Sequence, residues 1–179
     1  MRGLGSDRHK FLQKLIEQHG RGIGLGPDIE FKLANGLGKV DVLLFSQSLR
    51  IAFEVANKSD SQWEVHNIEK CVKAGIDAIV VVSDDLNHLS AIMTKAEQAD
   101  IEGYGEHVAF IHSSQIADYF AELGSQLASH ETQSRGYKVS VKYSKVSNEE
   151  QQSKMRAIHR NVAELIRKVR KQKPEQPSE

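Results

Sequence analysis

The hydrophobic and polar positions of this chain follow two periods, one typical of helices and one of strands. Residues 7 to 19 place apolar side chains three and four positions apart, which predicts a helix that ends at the glycines of "HGRG", followed by a flexible loop. Residues 28 to 45 flank Asn35-Gly36, a dipeptide typical of hairpin turns, and "RIAFEVA" predicts a third strand. The later predicted elements are a helix over residues 60–75, a strand "DAIVVVS", a helix "LNHLSAIMTKAEQA", a strand "HVAFIHS", a helix "SQIADYFAELGSQLA", a polar stretch over 129–136, an edge strand "YKVSVKYS" and a basic amphipathic helix over 146–171.

This order of elements predicts a mixed α/β sheet with helices on both faces. The run "DAIVVVS" is continuously apolar, as in a strand that is buried on both faces of a sheet. The length of 179 residues suits one domain with its own core, which we expect to span residues 1–171, with 172–179 as a disordered tail.

Composition narrows the class of protein further. Hydrophobic residues make up 39% of the chain and charged residues 27%, as in globular proteins, and no apolar run approaches the roughly 20 residues that span a bilayer. The N-terminus has no signal-peptide core, so we expect a cytoplasmic protein. Cys71 is the sole cysteine, which excludes an internal disulfide and a multi-cysteine zinc site.

The net charge of zero conceals an uneven distribution of charge. Residues 135–179 hold 12 Lys or Arg against 5 Asp or Glu, and the rest of the chain holds 12 against 19. A basic segment of this kind either contacts phosphates or is a solvated tail, and composition alone leaves both readings open.

Two acids stand where core residues are expected. Asp41 lies within "KVDVLL" and Glu54 within "RIAFEVA". Burying a carboxylate without a partner is costly, so these positions predict either ion pairs at strand ends or a site that needs carboxylates.

Two glycine-rich stretches have the wrong spacing for phosphate binding. "GRGIGLGP" alternates its glycines and misses the dinucleotide pattern, and "NGLGKV" misses the phosphate-loop pattern. A small-ligand site at the strand end near Ser83 and Asp84 is therefore the less favoured alternative.

The two acids stand in a pattern that resembles a known family. An acid in a hairpin strand, a glutamate on the next strand, a helix and a buried strand resemble the PD-(D/E)XK, or restriction endonuclease-like, nuclease superfamily. More narrowly, "KVDVLL", "RIAFEVA", "NIEKCVKAGIDAIVVVS" and "GYKVSV" are similar to nuclease-like domains that accompany conjugative-transfer ATPases of mobile elements. The resemblance covers residues 7–145 and implies an α-β-β-β-α-β core and DNA endonuclease activity.

The resemblance also implies a metal site. It assigns Asp41 and Glu54 as ligands of Mg²⁺ (or Mn²⁺), and hard cations of this kind prefer carboxylate oxygens. A third acid comes from the first helix or strand, which offers Glu17 or Glu30, and Glu30 is favoured because its strand lies beside Asp41. Further candidate ligands, since some relatives recruit a histidine, are His9 and His66.

The chain departs from the family at the lysine, which usually stands two residues after the glutamate. That position here is Ala56, so Lys58 on the same strand or Lys70 on the next helix takes the role, or cleavage has been lost with the lysine. In the second case the chain is a catalytically inactive module that binds DNA or a partner ATPase. The helix that carries Lys70 is predicted to turn a polar face away from a core stripe of Val65, Ile68 and Val72, and Lys70 serves the site if that face overlooks Glu54. The polar face consists of Trp63, His66, Asn67, Lys70 and Lys73 or Ala74.

The expected partner is DNA, and a conjugative-transfer or helicase-type ATPase and a second copy of the chain are further candidates. The predicted DNA-binding residues are Lys39, Lys73, Arg160, Arg167 and Lys168.

Overall fold

A computed structural model describes residues 7–57, 59–101 and 104–134. The helices are α1 (Asp7–Gly22), α2 (Ser61–Lys73), α3 (Leu86–Gln98), α4 (Tyr104–His107) and α5 (Ile116–Ser134). The strands are β1 (Gly26–Lys32), β2 (Lys39–Phe45), β3 (Arg50–Val55), β4 (Ala78–Ser83) and β5 (Val108–His112), and short 3₁₀ turns occupy Ala34–Gly36 and Ser113–Gln115.

The five strands form one mixed sheet in the order β1-β2-β3-β4-β5. The first three strands are antiparallel neighbours, as expected for strands joined by short loops. β3, β4 and β5 run parallel, and α2 and α3 make the crossovers between them. The predicted fold class, a mixed sheet flanked by helices with an α-β-β-β-α-β core, is confirmed.

Each face of the sheet carries its own hydrophobic layer. On one face α1 and α5 pack on the sheet through residues such as Ile16 and Phe120, with Phe120 stacked on Phe53 of β3. On the other face α2 and α3 pack through residues such as Ile68 and Ile92. All six residues of β4 are buried, which confirms the expectation drawn from its continuous apolar run.

Two helices are longer than predicted. α1 continues through "HGRG" to Gly22. Gly20 lies against β2, where a Cβ would be 2.6 Å from Leu44 Cδ2. That glycine therefore serves close packing and does not end the helix. α5 continues to Ser134, into the polar stretch of 129–136 that was expected to follow the helix. The predicted edge strand "YKVSVKYS", the helix over 146–171 and the tail lie outside the described residues.

Within the described ranges, no helix combines the length and apolar character needed to cross a membrane.

Candidate functional site

Asp41 lies where strands β2 and β3 separate. The last backbone pair between the two strands is Val42 with Phe53. Beyond it, the Val55 N–H donates to Asp41 Oδ2 at 2.8 Å, so a side chain takes the hydrogen bond that strand pairing would otherwise supply. The Asp41 side chain remains 21% exposed. The carboxylate is therefore fixed by the sheet and still open to a ligand.

Glu30 reaches the same place from the neighbouring strand. The pairs on either side of it, Ile29 with Val42 and Phe31 with Val40, set Glu30 opposite Asp41. Its backbone has a φ of +57°, a left-handed conformation that costs a non-glycine residue about 1–2 kcal/mol. Strain of this kind in a strand is often found at functional positions.

The Glu30 carboxylate also has two polar side-chain partners. Gln13 of α1 donates to Oε1 at 3.1 Å, and Lys39 Nζ lies 3.4 Å from Oε2. Lys39, a predicted DNA-binding residue, therefore lies exposed at the edge of the site.

His9 of α1 completes a cluster of three possible metal ligands. His9 Nε2 lies 3.3 Å from Asp41 Oδ1, and the hydrogen bond to that carboxylate raises the pKa of His9. One ligand atom each from His9, Glu30 and Asp41 all lie within 4.8 Å of one another. Ligands at about 2.1 Å from an octahedral ion are separated by about 3 to 4 Å, so this donor set fits a small divalent cation.

Glu54 and Lys70 form a second, buried pair. Lys70 Nζ lies 3.1 Å from Glu54 Oε1, and the two side chains are 10% and 3% exposed. Burial, reinforced by the charge of Asp41, raises the pKa of Glu54 to about 8, and Lys70 offsets part of this effect. Glu54 thus lies close enough to Asp41 to sense its charge, although it is not part of the three-residue cluster.

Cys71 of α2 also contacts Glu54. Its Sγ donates to Glu54 Oε1 at 3.6 Å, and burial raises the pKa of the thiol, so the sulfur stays protonated. A buried, protonated thiol of this kind is unsuited to act as a nucleophile.

The polar face predicted for α2 is divided in the structure. Trp63 and His66 are exposed and pack against each other, as expected. Asn67 and Lys70 lie buried. Lys70 meets Glu54, so this part of the face overlooks the buried acid, which is the condition under which Lys70 serves the site. Asn67 is held there by its hydrogen bond from Lys70.

The other predicted site residues are spread more widely. Lys73 is exposed and pairs with Glu69 on the same helix, and Ala56 is fully buried. Glu17 pairs with Lys14 and Arg21 on the outer side of α1. Positions outside the described residues are Lys58, Arg160, Arg167 and Lys168.

The strand end proposed for the rival ligand site is engaged by an ion pair. Arg8 donates two hydrogen bonds to Asp84, at 2.8 and 2.6 Å, and they lower the pKa of Asp84 to about 2. Ser113 also donates to Asp84. This bridge ties the start of α1 to the end of β4 and thereby anchors the helix that carries His9.

Sequence reasoning named His9 only as a further candidate, and it ranked Glu54 among the metal ligands ahead of it. The sequence does not single out His9, because the packing of α1 on the hairpin strands decides which turn of this helix faces Asp41. The distance between Lys70 and Glu54 likewise depends on how α2 packs over β3, which the sequence does not show.

Comparisons with known proteins give little further guidance. No protein-family model matches the chain, and no curated protein matches its sequence. Among solved structures, the small subunit of the heterodimeric restriction endonuclease R.BspD6I is similar in outline, with 12% sequence identity and a TM-score of 0.44 over 93% of this chain and 91% of that chain. A likeness of that size carries no functional weight, so the case for function rests on the residues around Asp41.

Proposed function

We propose that this chain is a metal-dependent deoxyribonuclease that hydrolyses phosphodiester bonds at the site to which α1, β1, β2, β3 and α2 contribute side chains. One observation carries the proposal: three metal-ligating groups, His9, Glu30 and Asp41, meet beside the buried pair of Glu54 and Lys70. Carboxylates next to a lysine suit phosphodiester hydrolysis, which needs a cation, an activated water and stabilisation of charge on phosphate.

The metal proposed here is Mg²⁺ or Mn²⁺, held by Asp41, Glu30 and Glu54, with His9 as a further ligand. When bound, such an ion lowers the pKa of its water and offsets negative charge on the phosphate. Glu54 has a raised pKa in the metal-free protein, and a cation beside it would favour the ionised form. The imidazole of His9 favours Mn²⁺ over Mg²⁺, because Mg²⁺ prefers oxygen ligands.

The protein contributes orientation and charge. The Val55 N–H holds Asp41 in one position, so that carboxylate needs little reorganisation to bind. Lys70 supplies a positive charge beside Glu54, where it can orient a water or a phosphate oxygen. Its place on the helix offers a physical account of why Ala56 can stand where the family has its lysine.

The test is cleavage of supercoiled and single-stranded DNA with Mg²⁺ or Mn²⁺. Asp41→Asn keeps an oxygen that can accept from the Val55 N–H and removes the charge, so we expect a loss of rate on the order of 10²–10³-fold without unfolding. Lys70→Met should be similarly impaired. Lys73→Met is the matched control, since Lys73 lies exposed on the same helix and pairs with Glu69. Lys58→Ala tests the other candidate lysine.

A folded protein that binds DNA but cuts none of it with either metal would refute this activity. That result would favour the inactive module that binds DNA or a partner ATPase. Cutting that survives Asp41→Asn would place the chemistry elsewhere.

Several finer expectations stay predictions because they rest on the sequence alone. They are the association with a conjugative-transfer or helicase-type ATPase, the mobile-element context, the homodimer and the cytoplasmic location. DNA contacts by Arg160, Arg167 and Lys168 belong with them.

A further inference from the structure

Three polar side chains on successive turns of α2 form a buried chain that ends at Glu54. Glu64, Asn67 and Lys70 are each less than a tenth exposed. Asn67 Nδ2 donates to Glu64 Oε2 at 3.1 Å, and Lys70 Nζ donates to Asn67 Oδ1 at 2.8 Å. The Ser59 hydroxyl donates to the other oxygen of Glu64.

Donor and acceptor chemistry fixes the direction of this chain. An ionised Glu64 carboxylate can only accept, so the amide NH₂ of Asn67 must face it. The carbonyl oxygen of Asn67 is then forced to face Lys70, whose ammonium group can only donate. Glu64 therefore selects one of the two amide orientations of Asn67, and that orientation is the one that can hold Lys70.

Two of the three ammonium protons of Lys70 are directed by this arrangement. Nζ lies 2.8 Å from Asn67 Oδ1 and 3.1 Å from Glu54 Oε1. The third N–H remains for a further acceptor. A free lysine side chain samples many rotamers, and fixing it costs up to about 2 kcal/mol, so a second anchor keeps the ammonium in place between encounters with substrate.

Burying these polar side chains costs free energy in a helix that otherwise packs through Ile68 and Cys71. Replacing buried polar networks with apolar residues is often neutral or stabilising, so stability alone does not account for three adjacent polar positions. A requirement for one fixed position of Lys70 does account for them.

We propose that Asn67, held in orientation by Glu64, is a positioning residue that directs Lys70 toward Glu54. Its consequence for catalysis rests on the proposed nuclease function, whereas its effect on the Lys70 side chain does not. Asn67 touches neither the metal-ligand cluster nor a substrate in this account and acts through Lys70.

The first test reads the Lys70 side chain directly by NMR, with its Cε methylene signal assigned through Lys70→Met. A held lysine gives two distinct Hε signals, and a freely rotating one gives a single averaged signal. We expect two signals in the native protein and one in Asn67→Leu, with His66→Leu on the exposed face as the control. Asn67→Ser, which adds no bulk, serves the same purpose if Asn67→Leu does not fold.

Two distinct Hε signals that persist in the folded Asn67 variants would overturn the proposal, whether or not the native protein cuts DNA.

The second test is a double-mutant cycle that measures cleavage kinetics. Asn67→Leu should lower kcat about 10- to 100-fold with KM for DNA nearly unchanged, and should cause no further loss in the Lys70→Met background. An equal, additive loss in that background would show that Asn67 acts independently of Lys70 and would overturn the proposal.

Discussion

The raised pKa of Glu54 predicts a specific dependence of stability on pH. The folded-state pKa is about 8, against about 4.5 for an unperturbed glutamate. A carboxyl group whose pKa rises on folding stabilises the protein below its unfolded pKa, and this contribution is lost as pH rises toward the folded value. Glu54 should therefore weaken the metal-free protein progressively between about pH 4.5 and about pH 8.

The magnitude follows from the linkage relation. Each pH unit between the two pKa values costs about 1.4 kcal/mol, so moving from about pH 5.5 to about pH 7.5 should cost about 2–3 kcal/mol through this one group. Glu54→Gln has nearly the same size, retains an oxygen for Lys70 and cannot ionise. The free energy of unfolding of Glu54→Gln should therefore lack this dependence on pH. The other titrating groups are the same in both proteins.

The assay is urea denaturation followed by circular dichroism, with a chelator present, at a series of pH values. We expect the free energy of unfolding of the native protein to fall relative to that of Glu54→Gln as pH rises. The comparison uses the slope alone, because Glu54→Gln also changes the contact with Lys70 at every pH. Parallel profiles would refute the reasoning and would mean that Glu54 stays ionised beside Lys70 across the range.

Three further predictions concern backbone strain, helix packing and the metal. Glu30→Gly should unfold in urea with a free energy about 1 kcal/mol higher than Glu30→Ala, because only glycine relieves the φ of +57°; equal values would show that no strain is stored there. Gly20→Ala should cost about 1–3 kcal/mol in thermal melts, since its Cβ meets Leu44, whereas Gly22→Ala has open space and should be neutral or stabilising; a tolerated Gly20→Ala would contradict the close packing of α1. The apparent affinity for Mn²⁺ in calorimetry should rise more steeply in the native protein than in Glu54→Gln between about pH 6 and about pH 8, by up to about tenfold per pH unit, because the rise due to His9 is common to both proteins; equal slopes would remove Glu54 from the ligand set.

Much of the fold was readable from the sequence because each element carries a local signal. β4 is apolar from Ala78 to Val82, and the Asn35-Gly36 turn separates β1 from β2 as predicted. The end of α1 was misjudged because the glycines of "HGRG" look like a stop. Their meaning depends on Leu44, which is distant in sequence.

The site was only partly predictable for a similar reason. Asp41 and Glu54 stood out because acids are rare among apolar strand residues, and the sheet brings Glu30 opposite Asp41. His9 joins them through the packing of α1 on the sheet, a contact that no periodicity encodes. Lys70 was one of two candidates, and its 3.1 Å approach to Glu54 depends on how α2 crosses β3.

The proposed activity depends on a divalent cation that is held through Asp41. Titration of Mn²⁺ followed by electron paramagnetic resonance measures this directly, because the sharp signal of free Mn²⁺ is lost on binding. We expect one Mn²⁺ per chain, with an affinity at least tenfold weaker in Asp41→Asn and unchanged in Glu17→Gln, because the Glu17 carboxylate of the native protein pairs with Lys14 and Arg21. Absence of binding to the folded protein, or equal affinity in Asp41→Asn, would contradict the metal site and the hydrolysis proposed from it.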